Sequence, residues 1–171
     1  LKKYVTNRNI LIAFIIAHLA FVAMAFILPA ITKGTGYTFF DLRMFQGYSF
    51  DYARGLIFAL DTRAVGLYFL VQLPLDLIYP LMASLFFALL FYKHSGKTGL
   101  VILGFSSMVI DYLENLLVVV MLSGASLAPG LVLASSTVTI VKAFLYALNY
   151  GLAVFFLVRS LVGKKRGEQT S

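Results

Sequence analysis

Four apolar stretches, at about 9–30, 63–92, 98–122 and 131–161, dominate this chain. Each reaches the roughly 20 residues that a helix needs to cross the hydrocarbon core of a bilayer. A chain with this pattern has few choices, because lipid leaves no partner for an unpaired backbone group and only helices or closed barrels span it. The predicted class is therefore all-α: a polytopic membrane protein built as a four-transmembrane-helix bundle. Composition agrees. Of the 171 residues, 61% are hydrophobic and only 12% charged, against roughly a quarter charged in soluble domains. Residues 1–162 read as a single transmembrane domain and 163–171 as a basic tail. Within the first stretch, Ala23-Met24-Ala25 has the small-x-small shape of a signal cleavage site, but the apolar run continues past it, which favours a span.

The absence of Cys excludes disulfides, thiolate metal sites and a Cys nucleophile. The net charge of +7 invites a nucleic-acid reading, and the distribution of charge argues against it. Lys2, Lys3 and Arg8 precede the first stretch, Lys93 and Lys97 lie between the second and third, and Arg159, Lys164, Lys165 and Arg166 follow the fourth; Glu168 alone opposes them. The segment between the first and second stretches, with Arg63 at its end, is nearly neutral: Lys33, Arg43, Arg54 and Arg63 stand against Asp41, Asp51 and Asp61. The positive-inside rule then puts both termini and the 93–97 turn in the cytoplasm, where anionic head groups account for the basic excess. The partners expected are membrane lipids, with no nucleic acid.

The outer loop, 31–62, carries Gly34, Gly36 and Gly47 as turn markers. Ser49 suits the N-cap of a short amphipathic helix over 50–60 whose apolar face holds Phe50, Ala53, Ile57 and Leu60. This helix is expected on the outer surface, as an ornament or as a lid on a cavity mouth. Asp61 suits the cap of the second span.

Polar residues inside the spans recur at helical spacing. The fourth carries Ser135, Thr139, Lys142, Tyr146 and Asn149; the third Gly104, Ser107, Asp111 and Glu114, with Asn115 at the edge; the second Gln72, Asp76 and Tyr79; the first only His18. Counted from the outer ends, the ionisable members fall in one layer near the midplane. An ionisable side chain there costs about 2.5–3.5 kcal/mol on insertion scales, so these groups should face inward and satisfy one another. Asp76, Asp111, Glu114 and Lys142 sum to −2, which calls for a retained proton, a cationic His18 or a bound cation. Pro80 leaves the carbonyl of Asp76 without its helical donor, and Pro74 does the same for Leu70. Lys142 or water is the expected partner of the Asp76 carbonyl.

These residues suit acid–base chemistry on a lipid-soluble, isoprenoid-like molecule. Asp111 or Glu114 would be acid or base, Asp76 and His18 their partners, and Lys142 the electrostatic tuner. Tyr79, Gln72, Ser107, Asn115, Tyr146, Asn149 and Thr139 would line the binding space. No cofactor is implied, and no metal site either, since Lys142 would repel a cation and the Glu-x-x-His pattern of carboxylate-bridged bundles is missing. Two other readings use the same groups: a proton- or cation-coupled transporter, which would need a homodimer to make a path, and a salt-bridged core that only fixes helix register in a structural subunit. Tyr48-Ser49, Asp76-x-x-Tyr79-Pro80 and Asp111-x-x-Glu114-Asn115 together resemble a family of small bacterial four-helix membrane proteins. That resemblance implies four spans and a bacterial inner membrane, and no activity.

The orientation is testable in a chain without cysteine. Ser95→Cys should react with a membrane-impermeant maleimide only once the cytoplasmic face is opened, and Lys33→Cys should react in intact cells. The reverse pattern would invert the topology.

Overall fold

A computed structural model describes residues 2–124 and 127–168, with side chains through Val162. The side chains of the basic tail expected at 163–171 lie outside the described residues. The described residues are all-helical, without a strand. Four helices are long and apolar enough to cross a membrane, at Asn7–Ile31, Thr62–Ser95, Thr98–Leu122 and Pro129–Val162, each within a few residues of the stretch read from the sequence.

Helix α1 is Asn7–Ile31, capped by Thr6, whose hydroxyl accepts from the Asn9 amide at 3.1 Å. It buries Ile10, Ala13, Ala17, Ala20, Met24 and Leu28 along one stripe and leaves Leu11, Ile15, Leu19 and Phe26 exposed. A helix that is apolar on its exposed face as well has the pattern of a large protein core or of a membrane span. Helix α2, Phe50–Ala59, starts on the Ser49 cap, and α3, Thr62–Leu67, on Asp61, whose carboxylate accepts from Ala64 at 2.7 Å. The buried face of α2 centres on Ala53 and Leu56, with Phe50, Ile57 and Leu60 only half-buried.

A single wide π turn, Tyr68–Gln72, joins α3 to α4, Leu73–Ser95. The Leu73 amide reaches back to the Tyr68 carbonyl, one residue further than in an α-helix. Pro74 explains the place: its ring has no N–H for Leu70, so the regular ladder is interrupted there. Helix α4 ends on Gly96 at φ +66°, a left-handed cap that glycine adopts freely.

Helix α5 spans Thr98–Leu122 and α6 Pro129–Glu168. Helix α1 packs on α4, α4 on α5, and α5 on α6, while α1 and α6 scarcely touch. Helices α4 and α5 approach closely at Gly104, where an added Cβ would stand 2.9 Å from the Ala88 amide nitrogen and 3.1 Å from its Cα. Small residues at such crossings let backbones come together in the absence of a hydrophobic drive between helices. Ser84 and Ser107 share a 3.3 Å hydrogen bond beside it.

Gly104→Leu should therefore lower the thermal unfolding midpoint in detergent micelles by the equivalent of about 1–3 kcal/mol, the usual range for overpacking. Gly151→Leu, where an added Cβ meets nothing within 4 Å, should leave it nearly unchanged. Equal behaviour of the two variants would show that the α4–α5 contact is not close.

Candidate functional site

Helical spacing on α5 and α6 brings Asp111, Glu114, Thr139, Lys142 and Tyr146 to one interior seam. All but the half-buried Tyr146 are under 9% exposed. The Lys142 ammonium forms an ion pair with Glu114 and lies 3.6 Å from Asp111 Oδ1. Thr139 donates its hydroxyl to the other Glu114 oxygen, and Tyr146 donates to Asp111 Oδ2 at 2.8 Å. Each carboxylate thus has one oxygen toward the lysine and one held by a hydroxyl, which keeps charged groups paired where desolvation is expensive.

A third carboxylate completes the cluster, and it comes from the loop between α1 and α2. Asp41 lies in the 3-10 turn Phe40–Arg43 and meets Lys142 Nζ at 2.8 Å. Sequence reasoning placed it outside, among charges that balanced locally. The loop is instead drawn inward by its aromatic residues. Phe39 and Phe40 are fully buried, Phe39 stacked on Tyr68 at 5.2 Å and Phe40 tilted against Tyr48 at 4.7 Å. The Phe39-Phe40-Asp41-Leu42 run was the available signal, an apolar segment too short for a helix that encloses one acid.

Tyr48 pins the far end of this loop. Its amide donates to Ser136 Oγ at 2.9 Å and its phenol to Ser135 Oγ at 2.8 Å. Gly47, at φ +65°, lets the backbone come so close that an added Cβ would sit 2.8 Å from Ser136 Oγ. Burial pushes the Tyr48 phenol up to about 12, with the Ser135 hydrogen bond pulling the other way. The docked loop therefore holds its stability below the ordinary phenol value of 10.0 and loses it as pH climbs through about 12.

Asp76 stands apart from the lysine. It is 1% exposed, and its side chain is met by the Gln72 amide at 3.3 Å. No cation pairs with it among the described residues. Its backbone carbonyl, released by Pro80, accepts from Asn115 Nδ2 at 3.1 Å. The expected partner, Lys142 or water, is thus replaced by an amide on the neighbouring helix, because Lys142 is engaged by three acids.

The cluster opens on a cavity of about 300 Å³. Phe21, Met24, Ala25 and Leu28 of α1 form one wall, and Ala143, Tyr146, Ala147 and Tyr150 of α6 the other. Asp76, Tyr79, Asp111 and Lys142 lie at its inner end, and Asp41, Leu42, Met44 and Phe45 line it from the loop. Ala25 and Ala147 are exposed, so the gap between α1 and α6 opens sideways.

Of the residues picked from the sequence, Asp76, Tyr79, Asp111, Lys142 and Tyr146 line this space. Glu114 and Thr139 support Lys142 from behind. Gln72, Asn115, Ser107 and Asn149 are buried in contacts within or between helices; Asn149, for instance, donates to the Leu103 carbonyl at 3.3 Å. His18 does not join the acids. It is only partly buried, with Nδ1 2.8 Å from the Phe14 carbonyl and its ring 3.9 Å from the Phe14 ring. A lone polar residue on a helix has no periodicity to fix its direction, and its own preceding turn satisfies it here. Besides Asp41, sequence reasoning missed the α1 wall and Tyr150, which look like ordinary lipid-facing residues in the sequence. No family model, curated protein or solved structure matches the chain.

Lys142→Met should strand three buried carboxylates. Breaking a buried pair by removing one partner costs about 3–5 kcal/mol, so a large fall in the unfolding midpoint is expected at neutral pH, partly recovered in acid as the carboxylates take up protons. A fall that is the same at both pH values would mean that charge is not what Lys142 supplies.

Proposed function

We propose that this chain is a four-helix bundle of the cell membrane, both ends cytoplasmic, that binds and converts a small lipophilic molecule. The support is one observation: a cavity with apolar walls and a sideways opening ends on carboxylates, a lysine and tyrosines. Pockets with apolar walls and a few convergent polar groups are the usual form of small-molecule sites. An amphiphile in the bilayer would enter between α1 and α6, keep its chain against Phe21, Met24 and Leu28, and present its polar end to Asp76, Asp111 and Tyr146.

The chemistry such groups suit is proton transfer. Asp111 holds the Tyr146 phenol and faces Lys142 beyond hydrogen-bonding distance. A proton delivered from Asp111 would leave behind a carboxylate that faces this ammonium and keeps the Tyr146 hydrogen bond, which favours Asp111 as the donor. Buried acids inside a membrane span are functional candidates for this reason. Asp76, which no cation pairs with among the described residues, also suits proton- or cation-coupled transport, in which it would load and release its ion in step with a substrate. Substrate-linked proton flux into sealed vesicles discriminates between the two readings.

Asp111→Asn preserves shape and the acceptor for Tyr146 while removing the acid. The protein purified from native membranes is expected to fold and to retain bound lipid. Mass spectrometry of total and co-purifying lipids should show one species accumulating and its product falling at least about tenfold, as for loss of a general acid or base. Unchanged lipid profiles from a folded variant would refute conversion.

A further inference from the structure

Around the cavity, charge is not balanced, and the imbalance is local. Asp41, Asp76, Asp111 and Glu114 place four carboxyl groups about one ammonium, a formal −3. Lys142 is the sole buried basic residue among the described residues. Asp41, Glu114 and Asp111 all draw on it, and Asp76 is left with a single amide donor. A ligand with an anionic head would add to the excess. A cation would relieve it, at the position where the cavity meets Asp76.

The walls nearest that position are aromatic. Tyr79 and Tyr146 stack at 5.4 Å, Phe21 lies 5.7 Å from Tyr79, and Tyr150 lies 6.4 Å from Tyr146. All four rings line the cavity. Aromatic faces attract cations through the ring quadrupole, most strongly when water is excluded, and aromatic cages of this kind recognise quaternary ammonium groups. The charge excess and the aromatic wall are separate features, and both point to one sign of ligand charge.

We propose that the cavity takes a single-chain amphiphile with an ammonium head, the head held between Asp76 and the Phe21, Tyr79, Tyr146 and Tyr150 rings and the chain leaving between α1 and α6. This rests on the reading of the cavity as a lipophile site and adds the charge of the head. Selection then follows from geometry. An ammonium without a chain gains the electrostatic part and forfeits the apolar walls. A chain with a sulfate head gains the walls and meets the acids.

The test is competition, using the full-length protein released from neutral maltoside micelles and analysed by native mass spectrometry. Dodecyltrimethylammonium, tetramethylammonium, dodecanol and dodecyl sulfate serve as probes. Dodecyltrimethylammonium is expected to bind at least about tenfold more tightly than each of the others, a 1.4 kcal/mol preference. Asp76→Asn should remove most of that preference, lowering the affinity for dodecyltrimethylammonium far more than that for dodecanol. Ala147→Phe, which fills the cavity mouth, should abolish binding of every chain-bearing probe. Equal binding of the ammonium amphiphile and dodecanol, blocked by Ala147→Phe, would overturn the ammonium head while sparing the lipophile site. Tight binding of tetramethylammonium alone would make the site one for a free cation. Binding of no probe, or binding insensitive to Ala147→Phe, would bring down both.

Discussion

The Lys142 ammonium is shared by Asp41, from the loop between α1 and α2, and by Glu114 and Asp111, both from α5. An ion this deep would be prohibitive alone, and three acids there would be worse. Together they are tolerable only while the geometry holds, so the cluster makes each element's position depend on the others. The loop cannot lift without taking Asp41 from its 2.8 Å contact with Lys142. Helices α5 and α6 cannot slide by a turn without unpairing Glu114 from both Lys142 and Thr139. The aromatic anchors of the loop, Phe39, Phe40 and Tyr48, add apolar burial to that electrostatic constraint.

The same cluster defines the cavity by what it leaves over. Three carboxylates consume the lysine, and Asp76 remains at the end of an apolar recess. Asp41 adds a third acid to that lysine and a further carboxylate to the lining of the recess. The docked loop thus affects more than the cavity's roof. It sets the polarity of the surface that any occupant meets.

How far the sequence revealed this depended on whether a feature was local and periodic. The long apolar helices, the Ser49 and Asp61 caps and the convergence of Asp111, Glu114 and Lys142 follow from hydropathy, side-chain hydrogen bonding and the 3.6-residue repeat, all read within one element. Asp41 could not be found that way, since its pairing with Lys142 spans 101 residues and the loop has no repeat to mark an inner face. The release of the Asp76 carbonyl by Pro80 is legible within one helix, but its partner Asn115 sits on another, and only packing selects it over Lys142. His18 shares only its depth with the acids, and depth does not specify azimuth.

The wide turn at Tyr68–Gln72 has an effect on angle that its interrupted hydrogen bonding conceals. Ala64, Tyr68, Gln72 and Asp76 are all buried, at every fourth residue. In an unbroken α-helix such a series would wander round the axis by about 40° per step, about 120° from Ala64 to Asp76. One additional residue in the winding takes back roughly 100° of that rotation. The slack turn therefore acts as a phase corrector: the half of the span that holds the loop and the half that carries Asp76 look into the same interior.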